Sequence, residues 1–202
     1  VALPNSLEFF KACFATWKLG ATPQPVSAKL PIFELDQIIE LGVPSLVVGI
    51  SGNNEIGPKS LPIGYSEYHS YPDSVLPEIT AVSFKAMTSG GSTGRPKLIV
   101  SANPAQWDIE LEHLQIKLQG AMLIPGPLYH NGPFSWAMAA MFRGNHVVIT
   151  TRFDAENTLA LIAEHQIDIV YMVPTMMQRI WKLPEDIRLK HDISCLDVLP
   201  IN

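Results

Sequence analysis

The chain reads as an α/β protein of layered, parallel-rich sheets joined by crossover helices, and three observations point there. Segments with helical apolar spacing alternate with short β-branched runs, the pattern of parallel strands linked by helices. Apolar residues make up 47% of the chain and charged residues only 16%, enough to bury a sizeable core. Gly and Pro stand at the ends of these segments, where they stop helices and open turns.

Asn5 with Glu8 makes a helix start, and Leu7, Phe10, Phe14 and Trp17 recur near helical spacing until Gly20 ends the run. The spacing favours a core-facing stripe over a ligand shelf. A second amphipathic helix carries Ile32, Leu35, Ile38 and Ile39 and stops at Gly42, and Ser45 to Val48 follows as a buried strand. Between Ser51 and Pro77 the periodicity gives way to Gly, Pro, Ser, Asn and Tyr. Residues 51–78 are therefore expected to form a long surface connection with room for short strands.

Val82, Phe84, Ala86 and Met87 look like the end of a buried strand, and Leu98 to Val100 like another. Asn103, with Pro104 at the first helical position, predicts a helix through about Leu118. Strands are expected at Ala121–Ile124, His146–Thr151, Ile167–Val173 and Ile193–Leu199. Asp154 caps a helix with Leu159, Leu161 and Ile162 on its apolar side. Pro174 opens another bearing Met176, Met177, Ile180 and Trp181. Those methionines would suit a pliable pocket wall, but their spacing favours packing.

Several function classes are excluded by composition. A net charge of −5, from 14 Lys and Arg against 19 Asp and Glu, offers no basic field for nucleic acid. Two cysteines far apart, Cys13 and Cys195, suit a reducing, cytoplasmic setting better than a disulfide framework. No apolar run reaches bilayer length. His69, His113, His165 and His191 have no spacing that would gather a metal with either cysteine, so no metal site is expected. The opening Val1-Ala2-Leu3-Pro4 reads as a strand already in progress, with sequence expected before it.

The most informative stretch is Thr88 to Lys97, TSGGSTGRPK, in which seven of ten residues are Gly, Ser or Thr. Glycines let backbone approach a ligand, successive N–H groups can share one anion, hydroxyls add rotatable donors, and Lys97 supplies a compact charge. A Walker loop does not fit: Gly90 is followed four positions later by Gly94, then Arg95, Pro96, Lys97 and Leu98, with no hydroxyl after the lysine. Nor does a flexible linker fit well, since strand-like runs flank the loop on both sides.

At these residues the sequence resembles the adenylate-forming, AMP-binding enzymes: acyl-CoA synthetases, luciferases and adenylation domains. Thr88, Ser89, Gly90, Ser92, Thr93, Gly94, Pro96 and Lys97 match that family's signature loop, with Gly91 as one extra small residue. The resemblance implies ATP-dependent activation of a carboxylic acid to an acyl-adenylate, release of pyrophosphate, and thioester formation with coenzyme A. It also implies magnesium, and a loop that wraps the departing phosphates.

A second motif, PLYHNGPF, spans Pro127 to Phe134 at the exit of the strand at Ala121–Ile124. Polar groups at a strand's C-terminal end are where open α/β sheets place ligands, yet a lone histidine is more often structural. From the residues alone His130 stays open between the two. The resemblance makes it a pocket residue, together with Asn131, Gly132 and Phe134, and makes Lys97 and His130 the expected catalytic residues. A general-base role for His130 is not expected, because a carboxylate nucleophile is already ionised at neutral pH.

The resemblance implies that residues 1–202 form part of one N-terminal AMP-binding domain, truncated at both ends and without the mobile C-terminal domain. The family's adenine turn, ribose aspartate and magnesium glutamate have no match here, so the chain alone is expected to be inactive. Two alternatives remain: an adenylation domain that loads a carrier protein, and a non-catalytic α/β fragment or interaction module. The apolar neighbours Phe134, Trp136 and Met138 favour an acid without a charged amine.

Overall fold

The computed structural model describes residues 1–50, 58–89, 96–110 and 114–200. They divide into two compact units, Val1–Gln106 and Trp107–Asn202.

In the first unit, helix α1 (Leu7–Lys18) begins one residue later than the Asn5 signal suggests. Ser6 is the cap, its Oγ accepting from the Phe9 N–H at 3.2 Å. The inward face also differs in part from the expected stripe: Phe9, Phe10 and Cys13 are buried, while Leu7 is 75% exposed. Trp17 still reaches the interior. Its indole stacks on Phe84 at 5.0 Å, and its N–H donates to the Phe84 carbonyl at 2.8 Å.

Helix α2 (Ile32–Gly42) buries Leu35 and Ile38 against Ala2 and Val26. It ends where Val43 turns into the left-handed region (φ 43°), a conformation costly for a β-branched residue. Strand β1 (Leu46–Val48) pairs in parallel with β2 (Lys59–Leu61), and a single 3-10 turn occupies Glu67–Ser70. Part of the expected surface connection is thus a strand; residues 51–57 lie outside the described residues. Strands β3 (Ala86–Ser89) and β4 (Lys97–Val100) form an antiparallel hairpin. Val82 is 81% exposed, so regular pairing begins only at Ala86.

The helix expected from Asn103 to Leu118 is absent among the described residues. Residues 111–113 lie outside them. Leu114 and Gln115 adopt φ of 58° and 56°, which no right-handed helix admits. Tertiary contacts override the cap signal: Trp107 packs on Phe142 at 5.3 Å, and Arg143 donates to the Ile109 carbonyl at 3.0 Å.

From there the chain runs through β5 (Ala121–Ile124), α3 (Asn131–Phe142), β6 (His146–Ile149), α4 (Ala155–Glu164), β7 (Ile169–Val170), α5 (Pro174–Trp181) and α6 (Glu185–Arg188), with α3 and α6 the two helices the sequence reading did not anticipate. The three strands are parallel in the order β6-β5-β7. Asp154 caps α4, accepting from the Asn157 N–H at 2.9 Å. Leu123 packs with Ile162, Ile167, Val170 and Met172, and Met176, Met177 and Ile180 of α5 lie against this cluster. The methionines of α5 therefore pack, while Trp181 is 74% exposed beneath the Arg188 guanidinium at 4.6 Å. The expected last strand reduces to one parallel bridge between Ile169 and Val198.

Helix α3 lies within and beyond the PLYHNGPF motif. It is apolar on all sides and buried to match, from Pro133 and Phe134 through Ala137 to Ala140.

Candidate functional site

Each unit carries a candidate site of its own. In the first, β3 and β4 carry the ends of the Gly/Ser/Thr loop. Ser89 lies directly opposite Lys97, and Thr88 opposite Leu98. Opposed residues of an antiparallel pair share a face, so the Lys97 ammonium and the Ser89 hydroxyl rise from the same side of the hairpin. Lys97 is exposed, and among the described residues no carboxylate pairs with it. Gly90, Gly91, Ser92, Thr93 and Gly94 lie outside the described residues.

The hairpin is firmly rooted. Met87 is buried, the Ala86 N–H donates to the Pro23 carbonyl at 3.0 Å, and the Ser101 N–H to the Lys85 carbonyl at 2.9 Å. Thr88 is half-buried, its Oγ1 accepting from Gln24 Nε2 at 3.4 Å. A cation and hydroxyls on a fixed base suit an anion.

The site in the second unit follows from sheet topology. After β5 the chain crosses to β6 on one side, then to β7 on the other, so the strand order reverses between β5 and β7. Beyond the C-terminal ends of those two strands lies the crevice where such sheets bind ligands. Pro125 to His130 leaves β5 there, and Tyr171 to Pro174 leaves β7. The PLYHNGPF motif therefore falls at the switch point.

His130 is the N-cap of α3, extended (φ −90°, ψ 147°), exposed, and without a side-chain capping bond. Its ring lies 4.4 Å from that of Tyr129. Partial desolvation pushes its pKa below the ordinary histidine value, so the neutral ring dominates at pH 7. Asn131 is exposed and opens the helix; Gly132 is half-buried; Phe134 is fully buried in the core beneath them.

Sequence reasoning passed over Tyr171. It is 4% exposed, and its hydroxyl rests against Gly132, leaving no room for a side chain there. Its ring lies 5.7 Å from Trp136. An aromatic two residues before the Val-Pro that opens α5 is visible in the sequence, but its position over α3 depends on the β6-β5-β7 order. Among the described residues no group of three His, Cys, Asp or Glu side chains could hold a metal ion.

A parallel sheet with its switch point beside PLYHNGPF places the chain among α/β proteins that take ligands at strand ends. The chain belongs to the AMP-binding enzyme family, whose profile matches residues 1–199. The long-chain-fatty-acid–CoA ligase FadD13 of Mycobacterium tuberculosis is 23% identical, over 91% of this chain and 40% of its own length. The 2-succinylbenzoate–CoA ligase of Bacillus licheniformis is 25% identical, over 88% of this chain and 39% of its own. The chain thus spans about two fifths of the length of these curated relatives.

Solved structures agree on the fold. The inhibitor-bound N-terminal domain of FACL13 from Mycobacterium tuberculosis superposes with a TM-score of 0.78 at 18% identity, covering 98% of this chain and 54% of that domain. O-succinylbenzoate CoA synthetase (MenE) from Bacillus subtilis, bound to its acyl-adenylate intermediate, gives 0.77 at 19% identity, covering 98% and 53%. The expected acyl-CoA synthetase N-terminal fold is the one found.

Proposed function

We propose that the full-length protein activates a carboxylic acid with ATP, releasing pyrophosphate, and passes the acyl group to coenzyme A. The observation that carries this reading is the Ser89–Lys97 pair at the foot of the TSGGSTGRPK loop, in a chain of the AMP-binding family. The CoA acceptor, in preference to a carrier protein, is supported by the relatives, which are CoA ligases.

In this reading a carboxylate oxygen attacks the α-phosphorus of ATP, and the bond to the bridging oxygen of pyrophosphate breaks. Thr88 to Gly94 and Lys97 hold the β- and γ-phosphates, and Lys97 offsets the charge that develops on the departing pyrophosphate. His130, Asn131, Gly132 and Phe134 form one wall of the acid site. The neutral His130 ring donates or accepts one hydrogen bond and limits access; it removes no proton, because the acid is already ionised. Magnesium would accompany the nucleotide and would offset phosphate charge there; among the described residues no group of three His, Cys, Asp or Glu side chains could hold it. Cytoplasmic acyl-group metabolism fits this chemistry, and among the described residues no helix is long and apolar enough to cross a membrane.

The test is product stoichiometry. Full-length protein incubated with ATP, coenzyme A and a panel of aryl and fatty acids should yield acyl-CoA and AMP in equal amounts. ADP and inorganic phosphate formed in step with acyl-CoA would overturn the reading.

A further inference from the structure

In the second unit the fold brings two histidines together at the end of the sheet opposite the strand-end crevice. Strand β6 leads into α4, and α4 runs back to begin β7, so the crossover returns the helix end to the start of the strand. His146 opens β6, and His165 is the C-cap of α4. Their rings meet with centroids 5.2 Å apart and planes at 79°. Spacing along the chain links His165 to neither cysteine; the fold links it to His146.

Both residues are anchored by their backbones. The His146 N–H donates to the Gly120 carbonyl at 2.9 Å, and the His165 N–H to the Leu161 carbonyl at 3.0 Å. The rings themselves are available: His146 is exposed, His165 is half-buried, and among the described residues no hydrogen bond or ion pair engages either ring. Accessible imidazole nitrogens on a fixed base are suited to coordinate a metal. The separation agrees with that use. Two nitrogens at about 2.0–2.1 Å from one tetrahedral ion set their ring centres roughly 5 Å apart. Each ring can turn about its own metal bond, so planes at 79° are compatible with a shared ion.

Electrostatics supplies a separate observation. The last turn of a helix leaves carbonyls without intrahelical partners and carries partial negative charge. In α4 no basic residue in that turn offsets it, and the exposed Glu164 adds a negative charge beside His165. A cation on the His165 ring would lie at this end.

We propose that His146 and His165 form a binding site for a divalent transition-metal ion of the zinc or nickel class, with water in the remaining positions. Among the described residues no third His, Cys, Asp or Glu side chain joins them. Two protein ligands make the ion more exchangeable than in a closed four-ligand site. Imidazole suits these metals whereas oxygen ligands suit magnesium, so the pair discriminates against the magnesium that accompanies a nucleotide. Bound metal ties the start of β6 to the end of α4 and stabilises the folded state by mass action.

The test compares wild type with His146→Ala and His165→Asn in the full-length protein, by calorimetric titration and thermal melting with zinc chloride and nickel chloride, and with magnesium chloride as control. Wild type should bind zinc and melt higher in its presence. Each variant should bind zinc at least about tenfold more weakly, since even loss of an outer-shell partner costs that much, and should lose most of the zinc-dependent rise in melting temperature. Without metal, His146→Ala should melt as wild type does, because the position is exposed; it carries the test if His165→Asn does not fold. A wild type that binds neither zinc nor nickel, a His146→Ala variant that binds zinc as tightly as wild type, or wild-type binding of magnesium as tight as that of zinc would overturn the proposal. Acid-dependent adenylation is read separately and bears only on the proposed function.

Discussion

Ser89 and Lys97 face one another across the β3–β4 hairpin as the closing pair of a loop built from Gly, Ser and Thr. Because they are cross-strand partners, the hairpin backbone sets both side chains out from adjacent positions on one face. Replacing Lys97 by Ala should therefore raise the KM for ATP and lower turnover by about 10²-fold, the scale for removing one group that stabilises developing charge. Lys97→Arg should recover part of this, since it restores charge but not the compact geometry. Steady-state kinetics on the full-length protein check both.

The cap of α3 predicts a pH dependence. Burial lowers the folded-state pKa of His130 below its unfolded value near 6.5. The unfolded chain then binds more protons in the window between the two values. Stability from this group is complete above the unfolded pKa and is lost as pH falls through that window. Urea denaturation between pH 7.5 and pH 5 should show a decline that His130→Gln reduces. An identical decline in the variant would assign the effect to other groups.

Core substitutions separate packing from pocket roles. Leu123 is fully buried on β5 and touches both α4 and α5 through its cluster. Leu123→Ala should cost about 2–5 kcal/mol, by lost transfer energy and the cavity left behind. Met177→Leu conserves volume and should cost less than about 1.5 kcal/mol. The m-value and midpoint of urea unfolding check the pair.

How much of this was legible in the sequence depends on where the information lies. The α4 cap was readable because Asp154 acts within its own turn, and β5 because its four apolar residues are bounded by glycine and proline. Helix α3 was not, because Asn131-Gly132-Pro133 imitates a turn and the helix has no polar face to give a period. The Asn103-Pro104 signal misled for the converse reason: a sound local cap was overruled by Trp107 on Phe142 and the Arg143 bond to Ile109. In the site, the loop and His130 announce themselves by residue type. Tyr171 is seen only once β7 is known to lie beside β5, since nothing local marks a tyrosine that ends over a glycine some forty positions earlier.

The two thiols should differ in reactivity. Cys13 is fully buried in α1, and burial pushes its pKa up to about 12. Cys195 is half-buried, its Sγ lying 3.7 Å from the Ile162 carbonyl. Iodoacetamide at pH 8 should modify Cys195 in the folded protein and Cys13 only after denaturation, as read by peptide mass. Equal labelling of both in the native state would contradict the burial of α1.

A small local change should stabilise the first unit. Val43 is 81% exposed and left-handed at the end of α2, so it carries strain without offsetting contacts. Val43→Gly should relieve about 1 kcal/mol, read as a higher urea midpoint with unchanged m-value.

The central claim, that the Ser89–Lys97 hairpin serves carboxylate activation by ATP, is tested most directly by exchange of labelled pyrophosphate into ATP. Wild-type full-length protein should catalyse exchange only when a suitable carboxylic acid is present, and Lys97→Ala should lose most of it. Exchange that needs no acid, or turnover of ATP with no exchange across a broad acid panel, would contradict the account.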